Sequence, residues 1–373
     1  MRADIWAVAL LIGAAACGDA ATNPSTDGDG QTGLTGGRGQ SGGTSTINPS
    51  VALASSTARN CPQRCGFLVG TAADRADIRE ARVVTEDAEI LLVGPRSSRW
   101  SFRGGSKLFT TATGYAYSSP LAQNGWGQAV GASVGGDGSH FATAWEPNGS
   151  PIVLSDRPYG QPLAGEARAV NDNSVIVGVS GDRAFRTQYR EGFRWLAAAG
   201  SAAVDVNFNG QVAGYSTVGG NRRATVWAQN GAATDLGTLP GYAVSEAVAI
   251  SETGIVTGFS RTTATSTDWR GFIWTASEGM KALDPGFVPA DVNHWGEVAG
   301  RFWATGECAV FYKGYGTLKL PRVTPGAIDC AATSINSWGD VAGYDLVTPN
   351  GGRTVYPRAV VWTWAGNESR YGY

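Results

Sequence analysis

From residue 80 onward, polar and apolar positions fall into short runs that recur along the chain. The clearest copies read Val206-Asn207-Phe208-Asn209-Gly210-Gln211-Val212-Ala213-Gly214, Asn293-His294-Trp295-Gly296-Glu297-Val298-Ala299-Gly300 and Asn336-Ser337-Trp338-Gly339-Asp340-Val341-Ala342-Gly343. Asn and Gly tolerate positive φ in a tight hairpin, and the alternating Val-x-Gly then leaves the turn as a strand. Asn124 opens a further copy ending at Gly131. Weaker copies open at Asn171, where Ser174 replaces the first Gly, and at Ser251, which keeps Gly254 and Gly258. A degenerate copy is read at Asp87, with Gly94 closing it.

A second half of the unit recurs as well. Arg223–Trp227, Arg270–Trp274 and Arg358–Trp362 share a charge, a small residue and a terminal Trp, while Glu191–Trp195 and Glu307–Phe311 begin with Glu. Units therefore open at 87, 124, 171, 207, 251, 293 and 336, at intervals of 37, 47, 36, 44, 42 and 43 residues. That period holds four strands per unit and matches propeller blades rather than leucine-rich or helical solenoids. No stretch keeps a 3.6-residue period, which also argues against helices. The expected fold is all-β, a β-propeller of four-stranded blades. Seven blades are favoured because a closed ring leaves no exposed sheet edge, with six as the alternative.

Thr234-Asp235-Leu236-Gly237-Thr238-Leu239-Pro240-Gly241, followed by Ala247-Val248-Ala249-Ile250-Ser251 and Gly254–Gly258, resembles the bacterial HAF repeat, a probable extracellular repeat. The resemblance runs from the early eighties to the C-terminus and is densest between 200 and 345. It departs at the His-Ala-Phe signature, where Arg or Glu stands before the Trp strand. It implies an extracellular, propeller-like domain and carries no catalytic residues to transfer.

The N-terminal stretch Met1–Cys17 has one Arg and an apolar run too short to span a bilayer, then Ala14-Ala15-Ala16 before Cys17. This resembles a lipobox, which makes Cys17 the expected lipidation site; an ordinary signal peptide cut nearby is the alternative. Gly18 follows where an inner-membrane retention signal has Asp, which favours the outer membrane or cell surface. Residues 18–59 read as a Gly/Ser/Thr-rich tether, with almost no large apolar residue to offset its ordering entropy. Residues 60–373 read as the repeat domain.

Composition narrows the function. Gly is 53 of 373 residues and charged residues are 16%, so turns and aromatic-capped strands replace charge-laced helices. The net charge of −2 gives no overall attraction to nucleic acid. In an oxidising compartment Cys61, Cys65, Cys308 and Cys330 allow three pairings; proximity favours Cys61–Cys65 and Cys308–Cys330, and free buried thiols are the alternative.

With His140 and His294 as its two histidines, and neither near a Cys, the chain has no expected metal site or cofactor. Ser139-His140 lies in a Gly-rich loop, and Asp205, Asp291 and Asp340 hold repeat positions, so no catalytic residue is assigned. The chain is read as a binding module, expected to be a monomer, that touches the membrane through its lipid alone. The alternative is a propeller enzyme, lyase or hydrolase, acting on extracellular polysaccharide.

Trp126, Trp295 and Trp338 share the third position of the turn, where small polar residues are usual. They form the expected binding sector for a glycan or a protein partner, with structural cladding between blades as the competing role. The loops that follow the Val-x-Gly strands carry Arg183, Arg186, Arg190, Arg222, Arg223, Arg261, Arg270, Arg301 and Arg353 and should lie on the opposite face.

Overall fold

Each Val-x-Gly run forms the second strand of a four-stranded antiparallel sheet. The computed structural model describes residues 64–68 and 80–364, apart from 95–96, 102–104, 157–159, 189–191, 325 and 349–354. Seven sheets span 80–108, 117–153, 165–195, 202–235, 244–282, 287–319 and 327–364 and are numbered here as blades 1 to 7. Strands pair in chain order within blades 1 to 6. In blade 7 the outermost place is taken by Arg64–Leu68, antiparallel to Tyr356–Trp364, so the first strand of the described chain completes the last blade. First strands of neighbouring blades touch all round, and those of blades 1 and 7 meet. The protein is a seven-bladed β-propeller, which decides against six blades.

All seven innermost strands carry a β-bulge at the same place. A bulge adds one residue and sharpens the local twist. The extra residues Leu121, Val204, Val248 and Ala290, with Arg82, Arg168 and Thr333, are half-buried on the innermost strands. Opposite the bulge, the Gly of Val-x-Gly gives the bulged backbone room. A Cβ on Gly214 would stand 2.0 Å from the Ala202 carbonyl oxygen, and one on Gly178 would stand 2.1 Å from that of Glu166. Close backbone approach, rather than turn geometry, fixes this glycine.

The register of blade 1 differs from the spacing of the sequence by two residues. Its turn opens at Thr85, whose N–H donates to the Glu89 carbonyl at 2.9 Å, so Asp87 is the third turn residue rather than the first. Leu92, not Gly94, takes the place of the Val-x-Gly glycine, opposite Ala81. Ala88 adopts φ 59° where other blades have Gly, and Ser174 adopts φ 56° in blade 3. Both keep the shape of the turn without its usual residue, which is why spacing alone misaligned the first unit.

The core is divided among the blade interfaces. Seven buried clusters each join two neighbouring sheets. Trp145, Trp227 and Trp362, the ends of the recurring Trp strands, are fully buried in three of them. Because both faces of a blade are covered, the second strand Ala129–Val134 is buried at every residue and shows no polar alternation. Cys308 of blade 6 and Cys330 of blade 7, both buried, are joined by a disulfide with Cα atoms 5.8 Å apart.

Candidate binding face

The turns between first and second strands all lie at one end of the channel, and each position of the turn has a distinct task. The first residue builds the ring. Asn124 Oδ1 accepts the N–H of Gln128 at 2.9 Å, closing its own turn, and its Nδ2 donates to the Asn171 carbonyl of the next blade at 3.0 Å. Asn171, Asn207, Asn293 and Asn336 repeat both contacts. Ser251 and Thr85 accept the same N–H through their hydroxyls but have no amide to reach the next blade. All seven side chains are buried, where an unmade hydrogen bond is costly.

The second residue is acidic in alternate blades. Glu86, Asp172 and Glu252 are exposed, and each accepts the backbone N–H of the second turn residue of the preceding blade: Ser337, Gly125 and Phe208, at 2.8, 2.8 and 2.6 Å. Deeper in the channel, Asp205 bridges the N–H groups of Val206 and Ile250, and Asp291 those of Val292 and Ile335, all at 2.8 Å. Burial, then repulsion from Asp205, pushes the Asp291 carboxyl up to about 7. Burial also raises Asp205 and Glu252; the N–H of Phe208 opposes the rise at Glu252, and Asp205, Asp172 and Glu86 add to it. Five carboxyls from blades 1, 3, 4, 5 and 6 thus meet around one mouth.

The third residue projects outward. Trp126, Trp295 and Trp338 are 71, 68 and 58% exposed, the level of surface side chains rather than of interface packing. Blades 6 and 7 place Trp295 beside Trp338, and blade 1 with Asp87 separates Trp338 from Trp126. Trp295 is held in place: its ring lies 4.2 Å from that of His294, and its Nε1 donates to the Ser337 carbonyl at 3.2 Å. The structure brings the three tryptophans to one face. The acids beside them went unrecognised in the sequence, although aligning the turn columns would have set Glu86, Asp172 and Glu252 in one position.

The opposite face is charge-paired. Buried Glu246 takes Arg222 at 3.2 Å and Arg261 at 2.8 Å, Arg301 meets Asp329 at 3.4 Å, and the Arg183 guanidinium lies 4.4 Å above the Trp195 ring. Arg183, Arg222, Arg223, Arg261, Arg270 and Arg301 lie in strands rather than in the expected loops, at or near the strand ends, and Arg186 is buried mid-strand. Arg190, Glu191 and Arg353 lie outside the described residues, as do Cys17, Cys61 and the 18–59 segment. Cys65 lies within Arg64–Leu68, and its side chain is not described.

Two serine–histidine arrangements bear on catalysis. Ser139 Oγ donates to Asp137 at 2.5 Å rather than to His140, whose Nδ1 lies 3.0 Å from Glu166 Oε1. His294 Nδ1 lies 2.8 Å from Ser337 Oγ, but among the described residues no carboxylate holds the other ring nitrogen. Neither arrangement completes a triad. Among the described residues no three metal-ligating side chains converge.

No family model matches the sequence, and no curated protein matches it. Solved structures do. A streptogramin B lyase is 12% identical with a TM-score of 0.54, covering 81% of this chain and 98% of that one. An inactive virginiamycin B lyase from Staphylococcus aureus, solved with quinupristin, is 9% identical with a TM-score of 0.51, covering 80% and 98%. An oligogalacturonate lyase in complex with manganese is 11% identical with a TM-score of 0.51, covering 76% and 90%. At these identities the likeness is one of fold.

Proposed function

We propose that the protein is an exported, lipid-anchored binding module that captures an extracellular ligand, a glycan or a protein partner, on the tryptophan face of its propeller. The observation that carries this reading is the exposure of Trp126, Trp295 and Trp338 from one turn position on one face. Large aromatic surfaces held out to water mark interaction sites. The tether and Cys17 would hold that face away from the membrane, on the outer membrane or cell surface. An array of glycans and peptides probed with the full chain tests the reading. Binding is expected for the wild type and lost when the three tryptophans are replaced by alanine; binding unaffected by the substitutions overturns it. Replacing Cys17 by serine is expected to move the protein from the membrane fraction to the soluble one.

A polysaccharide lyase or hydrolase is the second reading. It is supported by the pairing of His140, on the third strand of blade 2, with Glu166 beside Arg168 on the innermost strand of blade 3, an arrangement of acid, base and cation. New reducing ends or unsaturated products from uronate polymers, lost in His140→Ala, would favour it over the binding module.

A further inference from the structure

We propose that the ligand of the tryptophan face is cationic: a linear hexosamine polymer carrying free amino groups. This rests on the binding reading above and adds the chemistry of the ligand. The aromatic arc comes from blades 6, 7 and 2, while Glu86 and Asp87 of blade 1 lie in the gap between Trp338 and Trp126. At the second turn position Asp172 and Glu252 are exposed on the same face.

Charge complementarity selects the occupant. Carboxylates exposed on the turn residues favour cations and disfavour uronates, sulfates and phosphates, while the Arg99 and Arg186 guanidinium groups lie beneath the turn glycines Gly127 and Gly210. A protonated amine also gains from the face of an indole, which adds to the carboxylates rather than competing with them.

The form of the aromatic surface selects a sugar over a basic peptide. Peptide hot spots fill desolvated pockets ringed by excluded water. Here the indoles stand on separate hairpin tips and are well exposed, and Trp295 is held by its own hydrogen bond. Such tips offer flat platforms in an arc, each able to take the apolar face of one pyranose ring, as a linear polymer requires. The exposed acids of the same face then receive the amino groups.

The test uses the purified full chain and calorimetric titration with three probes: a glucosamine hexamer, its fully N-acetylated counterpart and a Lys/Arg-rich peptide of equal charge. The proposal predicts that the glucosamine hexamer binds best and weakens at least about tenfold as salt rises from about 0.05 to 0.5 M, because exposed charges are screened. Combined Glu86→Gln, Asp172→Asn and Glu252→Gln, which keep an oxygen for each backbone N–H, should reproduce that loss without salt. If the acetylated hexamer binds as tightly, and the tryptophan substitutions abolish it, the binding face stands and the cationic ligand is overturned. Preference for the peptide overturns the sugar, and binding of neither hexamer overturns the inference outright. Unaltered glucosamine binding in the acid variant, with its melting temperature unchanged, does so too.

Discussion

Asn336 Nδ2 donates to the carbonyl of Thr85 at 3.0 Å, across 251 residues of chain, and so links the last blade to the first at the mouth of the channel. The same side chain accepts the N–H of Asp340 at 2.9 Å through Oδ1. One residue thus closes its own turn and the ring. Asn336→Ala removes both contacts and leaves a buried N–H unpaired, an expected loss of about 2–4 kcal/mol. Asn336→Ser should lose about half as much, since Ser251 shows that a hydroxyl can keep the turn contact. Urea unfolding midpoints of the two variants measure the difference.

Ser251 offers the converse experiment. Five blades reach the next turn through an Asn amide; blade 5 instead uses Thr253 Oγ1, which donates to the His294 carbonyl at 3.2 Å. Ser251→Asn supplies an amide directed at the Asn293 carbonyl and is expected to stabilise the protein by about 1 kcal/mol. A melting temperature raised by about 2 °C would match that gain.

Two glycine positions predict opposite signs. Ser174 holds φ 56° in a turn where Gly is usual, so Ser174→Gly should stabilise by up to about 1 kcal/mol, reduced by the extra entropy of Gly in the unfolded chain. Gly214→Ala would drive a Cβ against backbone atoms of Ala202 and Ala203 and is expected to cost about 1–3 kcal/mol. Denaturant curves on both variants decide.

The Asp291 carboxyl gives a pH signature. Its value in the fold, about 7, lies above the ordinary 3.8, so the native state holds the proton more tightly than the unfolded chain. The resulting stability is fully present below pH 4 and is lost as pH rises through 7. The raised Asp205 acts in the same direction. Unfolding midpoints should therefore fall between pH 5 and pH 8. Asp291→Asn should flatten that fall, at the constant expense of one N–H contact. An equally steep fall in the variant would remove Asp291 as its cause.

Much of the fold was legible because a propeller repeats one problem seven times. Asn-x-x-Gly and Val-x-Gly recur since each blade needs the same turn and the same backbone clearance at its bulge. Legibility failed where another residue met the same need: Ala88 and Ser174 at positive φ, and Leu92 opposite a bulge. The completion of blade 7 by Arg64–Leu68 had no local signal, because strand exchange between chain ends is set by ring closure rather than by periodicity. The tryptophans could be read from the turn column, and so could Glu86, Asp172 and Glu252 once blade 1 is aligned at Thr85, whereas their meeting with Asp205 and Asp291 could not. The five acids are scattered over blades 1, 3, 4, 5 and 6 and acquire meaning only when the ring brings them together.

The tryptophan face is tested most directly by measuring ligand binding and thermal melting on one variant, with Trp126, Trp295 and Trp338 all replaced by alanine. Side chains this exposed add little to the fold, so the variant should melt within about 3 °C of the wild type and bind nothing that the wild type binds. A variant that melts far lower and still binds its ligand would show that the tryptophans clad the blades and that the binding surface lies elsewhere.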